Sequence, residues 1–194
     1  MARRRGIALT REDVIVTAIT LLRNEGPDAL GINRVARELG IKPPSLYHHV
    51  TNNDDLHRAV ALAGWRQLDE RLAEVVEGGG EPAAKLRLAF GAYRAFGLAN
   101  PALYTLMSTL VFSPTAPDFG PIVQRIMGGF RVMIGPLGIK PEQEIHALRT
   151  VRAALHGFVL LELAGQFGLP QSVDESFEAM LDTLLAALRP SVSA

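Results

Sequence analysis

Apolar residues recur along this chain every three or four positions, which is the period of an amphipathic α-helix. In the first periodic segment, Val14, Ala18, Leu21 and Leu22 share one helical face. No segment alternates between apolar and polar residues for long enough to favour a β-strand. The pattern therefore predicts an all-α fold of about nine helices.

Capping residues, glycines and prolines mark the ends of the first four predicted helices. Thr10 and Asp13 have the spacing of a capping box, and Gly40 stands where a glycine in the left-handed conformation ends helix two. Because Pro44 disfavours the helical conformation at Pro43, helix three should begin at Pro44 and continue to His49. The predicted ranges are 10–25, 32–39, 44–49 and 53–77.

Five further helices are predicted by similar signals. Pro82, Pro101 and Pro141 suit the first turn of a helix, with Asn100 as the cap before Pro101, and Ser172 suits the cap of helix nine. Residues 113–121 contain three prolines and a glycine, which predicts a connection. Helices five to eight are expected at 82–98, 101–112, 119–134 and 141–167, and helix nine follows residue 172.

Composition and charge restrict the possible function classes. The 194 residues include no cysteine, which excludes disulfides and thiolate metal sites, and 20 Lys and Arg balance 20 Asp and Glu. Residues 1–60 hold nine basic and seven acidic side chains, a net charge of +2, with Arg3, Arg4 and Arg5 in an expected flexible arm. No apolar run approaches the roughly 20 residues that span a bilayer. We therefore expect a soluble, cytoplasmic protein with no membrane partner.

Helices two and three, joined by a short turn at Gly40, have the form of a helix-turn-helix. The polar face of helix three is poor core material but suits a DNA groove. Lys42 and Ser45 could reach base edges and Tyr47 a phosphate, and the amino end of the helix would offer free N–H groups to phosphate.

Residues Leu9 to Ala61 resemble the DNA-binding head of TetR/AcrR-family regulators. The resemblance rests on Gly40-Ile-Lys-Pro-Pro-Ser-Leu-Tyr-His-His-Val50 and on Asp54-Asp-Leu56. It implies a head at 1–55 that binds double-stranded DNA, and a ligand-binding and dimerisation body at 56–194, linked by helix four. It also implies contacts to bases or the groove from Lys42, Pro43, Pro44, Ser45 and His48, and to the DNA backbone from Tyr47 and His49.

The function implied by this resemblance is that of a ligand-responsive transcriptional regulator, a repressor that binds a palindromic operator as a homodimer. Two departures from the family pattern remove expected phosphate contacts: Leu30-Gly31 replaces Thr or Ser at the start of helix two, and Asn53 replaces Lys near the start of helix four. The arginines of the N-terminal arm would compensate from the minor groove. A helical small-molecule-binding protein with a degenerate DNA head is the alternative.

Leu155-His156-Gly157 resembles the Trp-His-Gly triplet of a TetR subgroup, with Leu155 in place of tryptophan. The resemblance implies a dimer interface from helices eight and nine and a cavity for an apolar or aromatic ligand among helices five to seven. An aromatic and methionine set at helical spacing is more often plain core, which is the alternative for the cavity residues. The predicted interface residues are Leu155, Val159, Glu162, Phe177, Met180, Leu181, Leu184 and Leu188. The predicted pocket residues are Tyr93, Phe96, Tyr104, Met107, Phe112, Phe130, Met133 and His156.

Helix eight carries two further features. Gly157, Ala164 and Gly165 would permit close approach of another helix, and Glu162 needs a partner in its apolar surroundings, for which Arg152 across the dimer interface is one candidate. The sequence shows no metal-binding spacing, no glycine-rich phosphate loop and no nucleophile elbow. We therefore expect no enzymatic activity, no metal and no cofactor.

Overall fold

The computed structural model describes residues 8–188, and the predicted basic arm at Arg3 to Arg5 lies outside this range. Within the described residues the fold is all-α, as predicted, without a strand. The α-helices are α1 (Arg11–Glu25), α2 (Ile32–Glu38), α3 (Pro43–Leu46), α4 (Asn53–Glu77), α5 (Pro82–Ala99), α6 (Pro101–Thr109), α7 (Gly120–Ile134), α8 (Pro141–Leu163) and α9 (Val173–Ala187). Short 3₁₀ helices lie at Pro27–Ala29 and Gly135–Leu137.

Three predicted helix ends are confirmed, two by their hydrogen bonds and one by its backbone angle. Thr10 and Asp13 form a complete capping box at the start of α1. Gly40 has φ 67°, in the left-handed region that glycine adopts without strain. Ser172 accepts the Glu175 N–H at 3.3 Å and so caps α9. Local signals were sufficient here because each cap involves residues close in sequence.

Other predicted ends are wrong by a few residues. Helix α3 begins at Pro43, because the extended residue that precedes the helix is Lys42 (φ −78°, ψ 142°). Prolines fit the first two helical positions, since the N–H groups of these positions have no intrahelical acceptor. It ends at Leu46, and the next three residues form a turn. Helix α6 ends at Thr109, and α8 ends at Leu163, before Gly165 with φ 65°.

The chain forms two compact units. Unit 1 contains the described residues up to Arg66 together with Asn100–Phe112, and in it α6 packs against α1. Its core includes Val14, Leu46 and Leu56, all with no exposed surface. The side chain of Asn100 does not cap α6 as predicted. It is buried and accepts a hydrogen bond from Arg23 Nη2 at 2.8 Å, which links α1 to the start of α6.

Unit 2 contains Gln67–Ala99 and the described residues from Ser113 onward. Helix α5 packs against α7, α8 and α9. The core residues of this unit are Leu86, Ala89, Phe90, Phe130, Met133, Ile134, Val151, Leu155, Phe158, Phe177, Leu181, Leu185 and Leu188. The residues of α4 from Gln67 onward and the whole of α5 therefore belong to the same unit as α7, α8 and α9.

Candidate nucleic-acid interface

The segment Lys42–Val50, here called the recognition segment, is held in unit 1 by two apolar anchors. Leu46 has no exposed surface and Val50 has 1%. The predicted contact residues Lys42, Pro44, Ser45, Tyr47 and His48 are exposed, whereas Pro43 and His49 are partly exposed. The structure thus brings all seven predicted DNA-contacting residues to one short surface segment.

The amino end of α3 differs from its predicted role. Pro43 and Pro44 have no backbone N–H, and the Ser45 N–H donates to the Lys42 carbonyl at 2.9 Å. None of these first three residues has a free N–H to offer an anion.

An ion pair that the sequence analysis did not identify holds the turn after α3. Arg11 Nη2 lies 2.7 Å from Asp55 Oδ1, and the Arg11 guanidinium also donates to the His49 carbonyl. The Thr51 N–H donates to the same carboxylate at 2.8 Å. The hydrogen bond from Arg11 is the main reason that the pKa of Asp55 lies below its usual value. This ionised carboxylate connects α1, the turn and α4.

A cleft of about 430 Å³ lies beside the recognition segment. It is lined by Asp28, Gly31, Ile32, Asn33, Arg34, Arg37, Tyr47, Asn52 and Asn53. Arg34 is neutralised by Glu25 at 2.5 Å and by Glu38 at 2.9 Å, whereas Arg37 is exposed. The rim of the cleft therefore combines a phenol, amides and a cation, which are groups that donate hydrogen bonds to phosphate oxygens.

Asn53 has a role that the sequence analysis missed. Its Oδ1 accepts the Ile32 N–H at 3.1 Å, across 21 residues of sequence. Gly31 precedes Ile32 and has no side chain with which to cap α2. The two departures from the family pattern, at Gly31 and Asn53, therefore meet at the start of α2: Asn53 binds its first N–H group, and Gly31 has no side chain there.

The predicted pocket residues are divided between the two units. Tyr104, Met107 and Phe112 lie in unit 1, where Phe112 lies under the Arg58 guanidinium at 4.7 Å. Phe130 and Met133 are core residues of unit 2, and Tyr93 packs against that core. Phe96 is fully buried and His156 is partly exposed, and both lie in unit 2. The role of these side chains in ligand binding stays a prediction.

Most residues predicted for the dimer interface are core residues of a single chain. The buried ones are Leu155, Val159, Phe177, Leu181, Leu184 and Leu188. Met180 is partly buried and packs against the same core. Their apolar stripe packs α8 and α9 within unit 2, and the role of these side chains in a dimer interface stays a prediction.

Glu162 has a partner different from the predicted Arg152. Its carboxylate lies 2.5 Å from Arg94 Nη2, and Arg94 also contacts Asp174 at 2.7 Å. The Arg94 guanidinium lies 4.7 Å from the Phe177 ring centroid, a cation–π geometry. This arrangement joins α5, α8 and α9 within one chain.

The outer faces of α8 and α9 are rich in small residues. On α8, Ala153 and Leu161 are exposed and Gly157 is partly exposed, and Ala164 is exposed directly after the last helical residue. The exposed residues of α9 include Ala179, Thr183, Ala186 and Ala187. A Cβ atom added at Gly157 would have no atom within 4 Å, so this face is open in the single chain.

His156 should make stability depend on pH. Its pKa is lowered by burial and, to a lesser degree, by the positive charge of Arg152. As the pH falls through about 6.5, the unfolded chain takes up a proton before the folded chain does, so the free energy of unfolding should decrease. His156→Gln should remove this contribution, and Arg152→Gln should reduce it, in urea unfolding measured from pH 8 to pH 5. Identical pH slopes for all three proteins would contradict the assignment.

Comparison with protein families gives two matches. Residues 14–60 match the family described as bacterial regulatory proteins, tetR family. Residues 86–184 match the family described as tetracyclin repressor-like, C-terminal domain. The first match contains the recognition segment and Asn53, and the second contains α7 and α8.

Similar proteins agree with these matches. An uncharacterized HTH-type transcriptional regulator of Mycobacterium tuberculosis is 34% identical over 81% of this chain and 72% of its own. A Rhodococcus protein of unknown function superimposes with a TM-score of 0.80 at 24% identity, over 97% of this chain and 100% of its own. A TetR variant from Acinetobacter baumannii, solved in complex with minocycline, has a TM-score of 0.73 at 26% identity, over 95% and 100% of the two chains.

Two kinds of feature are absent from residues 8–188. None of the helices there is both long and apolar enough to cross a membrane. The same residues contain no group of three His, Cys, Asp or Glu side chains that could hold a metal ion.

Proposed function

The chain belongs to the TetR family of bacterial transcriptional regulators, and on that premise we propose that it is a repressor that binds a palindromic operator as a homodimer and responds to a small apolar ligand. The observation that carries the proposal is the recognition segment. Its two apolar anchors are buried while its polar side chains are exposed, as a segment that enters a major groove requires.

The proposed DNA contacts come from side chains. Lys42 and Ser45 lie at the start of the segment, where they would read base edges. Tyr47, with Arg37 across the cleft, would hold phosphate oxygens and fix the register on the duplex. The small number of cations in the described head predicts a modest salt dependence, of about one slope unit for each phosphate neutralised.

The homodimer follows from the requirements of operator binding. Each recognition segment is short and contacts few bases, so two segments one helical turn apart gain affinity from a palindromic site. We assign the dimer contact to the outer faces of α8 and α9, whose small side chains permit close packing. The apolar stripe first assigned to the interface is used within each chain.

The ligand response is proposed to act through α4. This helix is continuous from Asn53 to Glu77, with residues up to Arg66 in unit 1 and residues from Gln67 in unit 2. A ligand that binds two conformations of unit 2 unequally would shift α4 and change the spacing of the two recognition segments. The minocycline complex of the Acinetobacter TetR variant supports a small-molecule ligand for this chain.

The function is tested by selecting binding sites from random duplex DNA with the purified protein. We expect a palindromic consensus, with an affinity that decreases between 50 and 200 mM salt. Protein that is folded and dimeric but enriches no sequence would contradict the proposal. It would favour the alternative, a small-molecule-binding protein with a degenerate DNA head.

Tyr47→Ala should weaken operator binding by at least about a hundredfold, because a hydrogen bond to a charged group contributes about 1.5–3 kcal/mol and the dimer loses two. Tyr47→Phe should give most of this loss, because the hydroxyl that it removes is the group that would donate the hydrogen bond to phosphate. The side chain is 54% exposed, so helicity and Tm should not change. Val132→Ala, at a position 59% exposed in unit 2, is the control. Fluorescence anisotropy measures the affinities, and wild-type binding by Tyr47→Ala would show that the recognition segment is wrongly assigned.

A further inference from the structure

The start of α2 is held by α4. The first N–H groups of a helix have no intrahelical acceptor, and Gly31, the N-cap residue of α2, makes no side-chain hydrogen bond. The Ile32 N–H is satisfied by Asn53 Oδ1, from the first residue of α4, at 3.1 Å. The cap of α2 therefore belongs to another helix.

A second hydrogen bond lies one turn further along α4. His57 Nε2 is 2.7 Å from the Leu30 carbonyl oxygen, and because a carbonyl only accepts, Nε2 must donate. Asn53 and His57 are four residues apart and so lie on the same face of α4. Together they bind both a donor and an acceptor of the segment that leads into α2, whose residues Leu30 and Ile32 are buried.

We propose that Asn53 and His57 form a clamp that positions α2, and with it the recognition segment, relative to α4. This inference rests on the proposed function, because its consequence is read in operator affinity. Helix α2 packs against α3, and the Ile41 N–H donates to the Ala36 carbonyl at 3.0 Å across the turn between them. A displacement of α2 therefore moves the recognition segment.

The clamp explains how a helix that lacks its own cap is held in register. An N-cap side chain of α2 itself would stabilise the helix but would leave its position relative to α4 unspecified. An acceptor supplied by α4 binds the first N–H group of α2, that of Ile32, and also fixes that position. Asn53 and His57 are thus positioning residues: they contact α2, and α2 positions the side chains that face the DNA.

Asn53→Ala should raise the operator dissociation constant about tenfold, on the scale of losing one cap in each protomer. His57→Ala should produce a similar change, and because His57, unlike Asn53, does not line the cleft beside Tyr47, its loss of affinity would report positioning rather than a lost phosphate contact. The selected consensus sequence should stay the same, because neither residue reads bases. Anisotropy on the selected operator measures the affinities.

Gly31→Ser separates positioning from simple capping. Gly31 has extended backbone angles, φ −139° and ψ 148°, and a Cβ atom there would have no neighbour within 4 Å, so serine fits and can cap α2 from within. In the double variant Gly31→Ser/Asn53→Ala we expect Tm to return toward the wild-type value while operator affinity stays about tenfold lower. Recovery of both would overturn the clamp and leave Asn53 as a cap only.

Hydrogen exchange of the Ile32 amide in the free protein tests the clamp without DNA. Asn53→Ala should increase this exchange rate, and unchanged protection of the Ile32 amide would overturn the proposal whatever the DNA result. If the wild-type protein bound no duplex but Ile32 lost protection in Asn53→Ala, the clamp would stand as a structural contact while the proposed function failed. The two failures are therefore distinguishable.

Discussion

Arg125→Met should lower the free energy of unfolding by about 3–5 kcal/mol at neutral pH, the cost of leaving a buried charge without its partner. Asp69 on α4 has a side chain that is only 4% exposed, whereas that of Arg125 on α7 is 59% exposed. Arg125 Nε donates to Asp69 Oδ2 at 2.5 Å. Methionine retains part of the aliphatic length of arginine, so the loss of stability reports the missing charge rather than missing packing. Urea unfolding monitored by circular dichroism measures it.

Substitution of the other member of the pair, Asp69, should have a much smaller effect on the free energy of unfolding. Asp69→Leu removes the buried charge and leaves Arg125, which water can solvate at the surface, so we expect a change within about 1 kcal/mol of wild type. The double variant Asp69→Leu/Arg125→Met should resemble Asp69→Leu. Equal losses for the two single variants would show that the attraction between the groups, rather than the desolvation of Asp69, determines the stability of the pair.

Local signals in the sequence were sufficient to predict the helices. The capping box at Thr10, the left-handed Gly40 and the cap at Ser172 each involve neighbouring residues, and each is confirmed. The end of α8 was missed because an apolar run continues past Leu163. Gly165, expected inside the helix, instead has φ 65° beyond its end. An apolar run alone does not show where the helix within it ends.

Long-range partners could not be predicted in the same way. Glu162 pairs with Arg94, 68 residues away, and Asn53 caps a helix that begins 21 residues earlier. Neither pair has a spacing that marks it, so the sequence indicated only that Glu162 needed a partner. Arg11 did give a weak signal, because a cation in the first turn of a helix is unfavourable with the helix dipole and suggests a partner elsewhere.

The apolar stripe of α9 shows a second limit of sequence patterns. Phe177, Leu181 and Leu184 have the spacing of a buried face, and the spacing is the same whether the face packs within a chain or between two chains. The structure uses it within unit 2. The small residues on the opposite faces then become the better candidates for contact with a second copy, since they are still open in the single chain.

Gly157 gives a direct test of that contact. In a helix interior glycine is less favourable than alanine by about 0.5–1 kcal/mol, and no atom in the chain lies within 4 Å of a Cβ placed at Gly157. A single chain therefore has no steric reason to need glycine at this position. Close approach of α8 to a second copy would provide one, because a side chain at Gly157 would then hold the two helices apart.

Gly157→Arg should convert the dimer into a folded monomer and reduce operator affinity by at least about a hundredfold, since linking two binding sites raises affinity by about 10²–10⁴. Far-ultraviolet circular dichroism should be unchanged, and sedimentation equilibrium at micromolar concentration should give the mass of one chain. Gly128→Arg is the matched control, because Gly128 lies inside α7, is partly exposed and also has no atom within 4 Å of a Cβ. A dimer that persists in Gly157→Arg would exclude this face of α8 and require the homodimer to form through another surface.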